Sequence, residues 1–304
     1  MGTFEEEEIA LLVEYSTPLE PIPPDIPEFL RSLRNVPLPR PPRAILFDIY
    51  GTLVISASGE IGSAADVTRE GAFLDAYRIA SGSALPDEAG RIMAFAYSEA
   101  IERVHAQGRV AGLPHPEVNI LSVWRIVLNE LGATHLDAAP VDVEQLAIAF
   151  ETQVNPVWPM PGSRELLRRL AHEELPLGIV SNAQFYTPML FPSLFGASLT
   201  ELGFERELSA FSWEHERAKP DAALFAGPLA SLQARGIDSR DVVYVGNDMR
   251  NDVWCARQVG CMTILFPGDQ RSLRMRQDDP ELAGFTPDSM VSSLAELPGV
   301  LRIE

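Results

Sequence analysis

Apolar residues follow two alternating patterns along the chain, and together these patterns predict an α/β fold. Short and nearly continuous apolar runs, typical of buried parallel strands, occupy residues 43–49, 175–181, 242–246 and 261–266. Between these runs apolar residues recur every three or four positions, as in the helix that begins at Pro161-Gly-Ser163. The alternation predicts a Rossmann-like, doubly wound parallel sheet.

A long segment after the first strand has helical spacing only. Four amphipathic stripes follow one another between residues 59 and 156, and Gly and Pro residues separate them. We therefore expect a core formed by residues 43–58 and 157–304, with a four-helix unit of residues 59–156 inserted after the first strand. An insertion at the mouth of a sheet would exclude water and contact the substrate.

The first 42 residues differ in character from the rest and look like an extension. They begin with an acidic run at residues 5–8, and nine prolines lie between residues 18 and 42. Proline at this density prevents long regular structure, so we expect an arm that is loosely ordered or wraps the surface. Phe29, Leu30 and Leu33 have the spacing of one helical turn that docks on the core.

Polar residues with chemical potential lie where the apolar strand runs end. Loops after adjacent strands of a doubly wound sheet meet at one crevice, so we expect these side chains to converge. Each also has an ordinary interpretation, as a turn residue, a helix cap or a solvated charge. The set is Asp48 and Tyr50 after the first run, Ser181 and Asn182 after the second, Asn247, Asp248 and Asp252 after the third, and Lys219 between them.

The charges in this set favour a divalent cation. Asp48, Asp248 and Asp252 would bring three negative charges and Lys219 one positive charge, which leaves about two negative charges in a partly desolvated cleft. Such charge must be neutralised by protonation or by a cation. A hard ion with oxygen ligands, such as Mg²⁺, fits the carboxylates, whereas the two cysteines and five histidines lack a zinc-binding spacing.

Composition limits the partners and the location of the protein. The 304 residues carry a net charge of −19, which disfavours binding to nucleic acid and to anionic membranes. No apolar run approaches the ~20 residues of a membrane span, and the amino terminus is unlike a signal peptide. We expect a cytoplasmic protein, monomeric or homodimeric, whose partner is a small anionic molecule attracted locally by a metal and Lys219.

Four segments resemble, in order, the motifs of the haloacid dehalogenase superfamily, and together they cover residues 43–270. Residues 48–53, Asp-Ile-Tyr-Gly-Thr-Leu, resemble its first motif, Asp-x-Asp-Gly-Thr-Leu/Val. Ser181 resembles the second motif, Lys219-Pro220 the third, and the acidic segment 246–252 the fourth. The resemblance implies the Rossmann-like core of that superfamily and identifies the four-helix insertion as a cap domain of the first type.

The resemblance also implies a mechanism with a covalent aspartyl intermediate. Asp48 would be the nucleophile, Ser181, with Asn182 beside it, would hydrogen-bond the transferred group, and Lys219 would balance the charge on Asp48. Mg²⁺ would be held by Asp48, the Tyr50 backbone carbonyl and Asn247 or Asp248, with Asp252 completing the acidic site. The favoured function is Mg²⁺-dependent hydrolysis of a small phosphoester.

Two positions depart from the phosphatase pattern and leave alternatives open. Tyr50 stands where phosphatases keep an acid/base aspartate, and a phenol with a reference pKa of about 10 is a poor base. A halide leaves without a proton, so tyrosine suits a metal-independent 2-haloacid dehalogenase, whose branch also shows Asp-x-Tyr-Gly-Thr. Asn247 replaces a metal-binding aspartate, and a non-catalytic binding protein is the third alternative. No arginine of the insertion is assignable to a haloacid carboxylate; the candidates are Arg69, Arg78, Arg91, Arg103 and Arg109.

Overall fold

The computed structural model describes residues 18–58, 70–134 and 140–303. Its centre is a six-stranded sheet with the order β5-β4-β1-β6-β7-β8, and every pair of neighbouring strands is parallel. The strands of the protein are β1 (Ala44–Phe47), β2 (Val54–Ser56), β3 (Val157–Pro159), β4 (Leu177–Ser181), β5 (Ala210–Phe211), β6 (Val242–Gly246), β7 (Met262–Leu265) and β8 (Ser289–Met290). The predicted doubly wound parallel sheet is confirmed.

The central strand is β1, and the strand order reverses around it. All four residues of β1 are buried, and Ile45 is in register with Leu177 of β4 on one side and Val243 of β6 on the other. Helices cover both faces of a sheet of this kind, so neither face of the strand meets water. This explains why the strand reads in sequence as a continuous apolar run instead of an alternating one.

Eleven α-helices lie in the described part of the chain. The longest has 24 residues and belongs to the insertion. In chain order they are α1 (Glu28–Arg31), α2 (Glu70–Ser81), α3 (Asp87–Val110), α4 (Ile120–Thr134), α5 (Val143–Val154), α6 (Ser163–Leu170), α7 (Leu190–Phe195), α8 (Ser212–His215), α9 (Ala226–Ala234), α10 (Cys255–Gln258) and α11 (Leu297–Leu301). None of the described helices is both long enough and apolar enough to cross a membrane.

Helices α2 to α5 form the four-helix insertion, and each carries one of the apolar stripes of the sequence. Their buried faces meet in an aromatic cluster of Phe73, Tyr97, Trp124 and Phe150, one residue from each helix. Ring centroids lie 4.4 Å apart for Phe73 and Phe150 and 5.1 Å apart for Tyr97 and Trp124. The stripes therefore supply a core of the insertion itself. Residues 59–69 and 135–139 of the predicted cap lie outside the described residues.

The chain leaves the core and returns to it through a short antiparallel ribbon formed by β2 and β3. Val54 is in register with Pro159, and Ser56 with Val157. A buried polar chain closes the base of the insertion: Ser56 Oγ donates to Asn155 Oδ1 (2.7 Å), and Asn155 Nδ2 donates to Glu151 Oε1 (3.0 Å). Strands of three residues are too short to show a periodicity, so the sequence does not predict this ribbon.

The described part of the amino-terminal arm, residues 18–42, docks on the edge of the sheet beside β8 through the segment around α1. The predicted helical turn is confirmed as α1, in which Leu30 is fully buried while Phe29 stays half exposed. Asn35 N donates to the Met290 carbonyl at 2.8 Å, which joins the arm to the last strand. Among residues 18–42, proline elsewhere prevents longer helices, as expected. The acidic run of residues 5–8 lies outside the described residues.

Removal of one ring from the aromatic cluster tests whether the insertion has its own core. We expect Phe150→Ala to lower the free energy of unfolding by about 3–5 kcal/mol, because the lost ring leaves a cavity among buried aromatic side chains. The matched control is Phe29→Ala, which removes a half-exposed ring and should cost far less. Urea unfolding followed by circular dichroism gives both values. Equal losses in the two variants would contradict a packed insertion core.

Candidate active site

Asp48 lies at the carboxyl end of β1, and the backbone enters a tight turn directly after it. Its backbone N–H donates to the Val245 carbonyl at 2.9 Å, which continues the sheet ladder by one residue. The turn that follows needs Gly51, which has φ of +81° and where an added Cβ would lie 2.5 Å from the Asn247 amide. The carboxylate is only 6% exposed and borders the cleft at the edge of the sheet.

Lys219 is the centre of the hydrogen bonding around Asp48. Its ammonium group lies 2.7 Å from Asp48 Oδ1, 2.6 Å from Asp252 Oδ1 and 2.8 Å from the Tyr244 hydroxyl. These three acceptors use all three N–H donors of the group. The Tyr244 hydroxyl in turn donates to the Val180 carbonyl at 2.6 Å. The lysine is thereby fixed between β4, β1 and β6.

Ser181 and Asn182 have different functions at the end of β4. Ser181 Oγ donates to Asp48 Oδ1 at 2.9 Å, which gives that oxygen a second hydrogen bond beside the one from Lys219. Asn182 instead bonds the backbone of Lys219: its Oδ1 accepts from the Lys219 N–H at 2.7 Å, and its Nδ2 donates to the Lys219 carbonyl at 3.3 Å. Asn182 therefore positions the lysine and does not bond Asp48.

Burial and charge determine the protonation of this pair. Burial raises the pKa of Asp48 to about 6, although Lys219 opposes this rise, and the Asp252 charge adds to it. Burial alone would lower the pKa of Lys219, but the carboxylates of Asp252 and Asp48 raise it above its ordinary value. The lysine thus remains a cation at neutral pH. It offsets the charge of an ionised Asp48.

Asp252, the other acidic residue of the predicted site, holds neighbouring groups through both of its carboxylate oxygens. Its Oδ1 accepts from Lys219, and its Oδ2 accepts the backbone N–H groups of Asn247 and Asp248, both at 2.9 Å. The carboxylate packs so closely on Gly246 that a Cβ at this position would lie 2.5 Å from Asp252 Cγ. Both oxygens are engaged, so Asp252 holds Lys219 and the loop after β6 in place.

Asn247 and Asp248 are held by different partners. Asn247 Nδ2 donates to the Ser272 carbonyl at 2.6 Å, which fixes the orientation of the amide. Asp248 Oδ1 accepts the backbone N–H of Arg250 at 2.8 Å, and its Oδ2 accepts from Arg276 Nη2 at 2.8 Å. Burial raises the pKa of Asp248 even though the hydrogen bond from Arg276 lowers it. Of the two, Asp248 is already neutralised by a protein cation.

The charge balance of the site is therefore less negative than the sequence indicates. Arg276 pairs with Asp248, while Lys219 pairs with Asp48 and Asp252. Among these five paired groups, two cations thus face three carboxylates, and one negative charge remains instead of two. The expectation of two unpaired charges is wrong because the Arg276 loop, 28 residues beyond Asp248, folds back onto the cleft.

Three oxygens have the chemistry of a Mg²⁺ site. Within the described residues, Asp48 Oδ2 and the Tyr50 carbonyl accept no hydrogen bond, and Asn247 Oδ1 accepts only a long one from Thr52 Oγ1 (3.4 Å). One carboxylate and two neutral oxygens fit an ion that keeps most of its water and binds substrate oxygens. In the same part of the chain, no three His, Cys, Asp or Glu side chains cluster as metal ligands.

The Tyr50 side chain is turned into a buried polar cluster between the core and the insertion. Its hydroxyl lies 2.9 Å from Thr187 Oγ1, and burial raises its pKa above the ordinary value of 10.0. Glu151 of α5, which is hydrogen-bonded to Tyr186, lies near enough to add to this rise. Tyr50 therefore cannot act as a base at neutral pH. The sequence does not mark Glu151 as a functional residue, because it continues an apolar stripe and belongs to none of the motifs.

A cavity of about 490 Å³ lies over Asp48, between the sheet and the insertion. Basic side chains line it from both sides: His105, Arg109 and His115 from the insertion, and Arg274 and Arg276 from the loop after β7. Burial lowers the pKa of His105, which keeps its imidazole neutral near neutral pH. Within the described residues, Arg109 is the one arginine of the insertion that reaches this cavity.

The other candidate arginines of the insertion have other surroundings. Arg78 forms an ion pair with Asp75 one helical turn away on α2. Arg91 and Arg103 line a separate groove on the outer surface of the insertion. Arg69 lies outside the described residues. The spacing of residues along a helix does not show which turn faces the core. The sequence therefore could not distinguish which of the five arginines reaches the cavity.

A loop of the insertion, residues 114–118, closes one side of the cavity and is hydrogen-bonded to the core. Ala218 N donates to the His115 carbonyl at 2.8 Å, directly before Lys219. Ser212 Oγ donates to Glu117 Oε2 at 2.6 Å, and Gln184 Nε2 donates to the Val118 carbonyl at 2.9 Å. These contacts join the insertion to the loops that carry Ser181 and Lys219. No motif marks them in the sequence.

One curated protein and several solved structures are similar to the chain. A "Ribulose-1,5-bisphosphate 5-phosphatase" of Halopiger xanaduensis is 28% identical over 140 residues, which are 45% of this chain and 54% of that protein. The chain thus spans about half the length of this relative.

The similar solved structures include the following three, each with a TM-score below 0.5. A 2-haloacid dehalogenase from Pseudomonas syringae is 22% identical, covers 86% of this chain and 98% of its own, and has a TM-score of 0.47. A phosphatase from Thermococcus onnurineus is 17% identical, with coverages of 85% and 97% and a TM-score of 0.48. A magnesium-bound hydrolase from Bacillus subtilis is 16% identical, with coverages of 87% and 100% and a TM-score of 0.48.

A family model gives the clearest match. The model of the haloacid dehalogenase-like hydrolases matches residues 42–260, which is more than half of the chain. The matched residues include every candidate side chain of the site, from Asp48 at the end of β1 to Asp252 after β6. The sheet order and the convergence of these residues at one edge of the sheet agree with the match. The chain therefore belongs to the haloacid dehalogenase-like hydrolases.

Proposed function

We propose that this hydrolase cleaves the phosphoester bond of a small, highly anionic compound, with Asp48 as the nucleophile. The observation that carries the proposal is the set of cationic side chains in the cavity over Asp48, with Arg109 from the insertion and Lys219, Arg274 and Arg276 from the core. The net charge of the protein is −19, so these side chains give an anionic substrate local partners that the overall field does not supply. The similarity to a bisphosphate phosphatase over about half of that protein's length supports the same substrate class.

The arrangement around Asp48 prepares one of its two oxygens for attack. Ser181 and Lys219 both bond Oδ1, which fixes the plane of the carboxylate and leaves Oδ2 without a hydrogen bond from the described residues. Oδ2 would attack the phosphorus in line, and an aspartyl-phosphate would form as the leaving oxygen departs. Lys219 remains protonated and offsets the charge that builds up at the transferred group.

Mg²⁺ is the proposed cofactor, held by the Tyr50 carbonyl and Asn247 beside the Asp48 carboxylate, whose Oδ2 is kept for attack on the phosphorus. When bound, the ion would neutralise charge on the phosphoryl oxygens and orient them. The hydrogen bond from Asn247 Nδ2 to the Ser272 carbonyl leaves the side-chain oxygen of Asn247 as its available donor. Asp248 and Asp252 are engaged by Arg276 and Lys219, so they would support the ligands instead of joining them.

Proton transfer must use a group other than Tyr50. Its buried hydroxyl is bonded to Thr187, and its raised pKa prevents it from activating the water that cleaves an aspartyl-phosphate. The titratable groups of the insertion that line the cavity are His105, His115 and Glu117. Burial raises the pKa of Glu117, whose carboxylate is bonded to Ser212, which brings it closer to the range that suits an acid/base group.

A 2-haloacid dehalogenase is the second candidate function, and two observations favour it. Tyr50 takes the place of the acid/base aspartate, and departure of a halide requires no proton. Arg276 already neutralises Asp248, which reduces the need for a cation in the cleft. In this function Asp48 would displace the halide, and Arg109 would bind the carboxylate of the substrate from the insertion side.

Asp48→Asn tests the nucleophile directly. We expect the variant to lose hydrolytic activity on every substrate that the wild type accepts, because an amide oxygen cannot form the covalent intermediate. The measurement is release of phosphate or halide by purified protein, with circular dichroism to confirm the fold. The matched control is Asp75→Asn, an exposed residue of α2 that should leave turnover unchanged. Turnover above a few per cent in Asp48→Asn would contradict the assigned nucleophile.

Paired assays separate the two candidate functions. We expect p-nitrophenyl phosphate to be hydrolysed with Mg²⁺ and not after treatment with a chelator, and 2-chloropropionate to release no chloride under either condition. Isothermal titration of the metal-free protein should show Mg²⁺ binding that weakens in Asn247→Ala, because the side-chain oxygen is removed. Chloride release without metal, together with no heat of Mg²⁺ binding, would overturn the phosphatase proposal and support the dehalogenase.

Gly246→Ala tests whether Asp252 positions Lys219. The added Cβ would lie 2.5 Å from Asp252 Cγ, so the carboxylate must move away from Lys219 and the backbone amides. A displacement of about 1 Å can cost about 10²-fold in turnover, and we expect a loss of this order. The control is Gly227→Ala in α9, which has nothing within 4 Å and should preserve or raise stability. Unchanged kcat in Gly246→Ala would contradict the positioning of Lys219 by Asp252.

A further inference from the structure

A row of exposed side chains with a regular spacing of four residues runs along the outer face of α3. The row consists of Asp87, Arg91, Phe95, Glu99 and Arg103, all of which are exposed. Its order of charges is negative, positive, aromatic, negative, positive. The opposite face of the helix packs into the core of the insertion, so this row is the surface that α3 presents to solvent.

Phe95 is the most unusual member of the row. Its side chain is 70% exposed, and it borders a groove of about 460 Å³ between α3 and α4. Apolar atoms of Ile92, Ala96 and Ile126 line the groove beside it, and charged side chains surround them. An exposed aromatic ring beside an apolar groove with a charged rim is typical of a protein interaction surface.

The four charged residues of the row have neither an ion-pair partner nor a side-chain hydrogen bond within the part of the chain that the structure describes. Pairs such as Asp87 with Arg91 could form along the helix at a spacing of four, and would contribute about 0.2–0.5 kcal/mol each. That arrangement would account for the charges, but it leaves the Phe95 ring exposed.

The charge pattern of the row is complementary to the same pattern in a second copy that runs in the opposite direction. When a second copy of α3 lies antiparallel with the two Phe95 rings at the centre, Arg91 faces Glu99 of the second copy and Asp87 faces Arg103 of the second copy. The two-fold axis repeats each pair, so four oppositely charged contacts flank one aromatic contact. A surface that matches itself in this way is the requirement for an isologous dimer with two-fold symmetry.

Helix geometry allows this pairing. Residues separated by four form a ridge on a helix, and when two helix axes cross at about −50° these ridges run parallel to each other, so one row can follow the other. The ends of the row are eight residues from Phe95, about 12 Å along the axis. The helix has 24 residues, so the whole row lies within it, with Phe95 at the crossing point.

We propose that the row from Asp87 to Arg103 is a homodimer interface, occupied by the same row of a second copy of this chain. The apolar groove beside Phe95 would receive the Phe95 ring of the second copy, and the charged pairs would fix the antiparallel direction. The interface is on the outer face of the insertion and does not depend on which reaction Asp48 performs.

Sedimentation velocity over a wide range of micromolar concentrations gives the first test. We expect the wild type to be a dimer and Phe95→Asp to be a folded monomer with an unchanged circular dichroism spectrum, because the side chain is exposed within one copy. A wild type that is monomeric at every concentration would overturn the proposal. So would a Phe95→Asp variant that stays dimeric, since the dimer would then use another surface.

Charge exchange tests the pairing itself. Arg91→Glu and Glu99→Arg should each raise the dissociation constant by roughly tenfold or more, because each turns two attractive contacts into repulsive ones. An equimolar mixture of the two variants should form a heterodimer, and the double variant should regain the wild-type constant. The control is Arg168→Glu, an exposed arginine of α6, which should leave the dimer intact. A mixture that stays monomeric would contradict the antiparallel pairing.

Discussion

The buried ammonium group of Lys219 is the interaction on which the active site depends. A lysine in this position is costly unless every N–H donor finds an acceptor, and here the acceptors come from Asp48, Asp252 and Tyr244. These residues follow or belong to β1 and β6, while Tyr244 also bonds β4 through the Val180 carbonyl. The charge cluster can therefore form only when the central strands have paired, which links completion of the sheet to completion of the site.

The same arrangement divides the acidic residues into two kinds. Asp252 and Asp248 are neutralised by Lys219 and Arg276 and accept backbone N–H groups, so they stabilise the loop after β6. Asp48 shares Lys219 but keeps one oxygen without a hydrogen bond from the described residues. A carboxylate that is buried, oriented and half unsatisfied is suited to nucleophilic attack, whereas carboxylates that are fully bonded are suited to support. Asp48 is thus distinguished from the other two carboxylates by an oxygen that accepts no hydrogen bond from the described residues.

Sequence periodicity was sufficient for the sheet, because strands buried on both faces must be apolar throughout. It was also sufficient for the meeting of the polar side chains at the strand ends, because parallel strands end at one edge. It was insufficient where contacts depend on the path of a loop. The Arg276 contact with Asp248 spans 28 residues of irregular chain, and the bonds from Gln184 and Ser212 to the insertion join segments that no periodic pattern relates. The three-residue strands β2 and β3 are below the length at which alternation is visible.

Helix α3 connects the reaction chamber with the outer surface of the insertion. Its carboxyl-terminal end places Arg109 in the cavity over Asp48, while its middle carries the exposed row centred on Phe95. The helix is continuous and packs on α2 and α4 through buried aromatic side chains, so one packed element carries both Arg109 and Phe95. A dimer that pairs the row would therefore also restrict the movement of Arg109. Any movement of the core relative to the insertion would have to break the hydrogen bonds at residues 114–118.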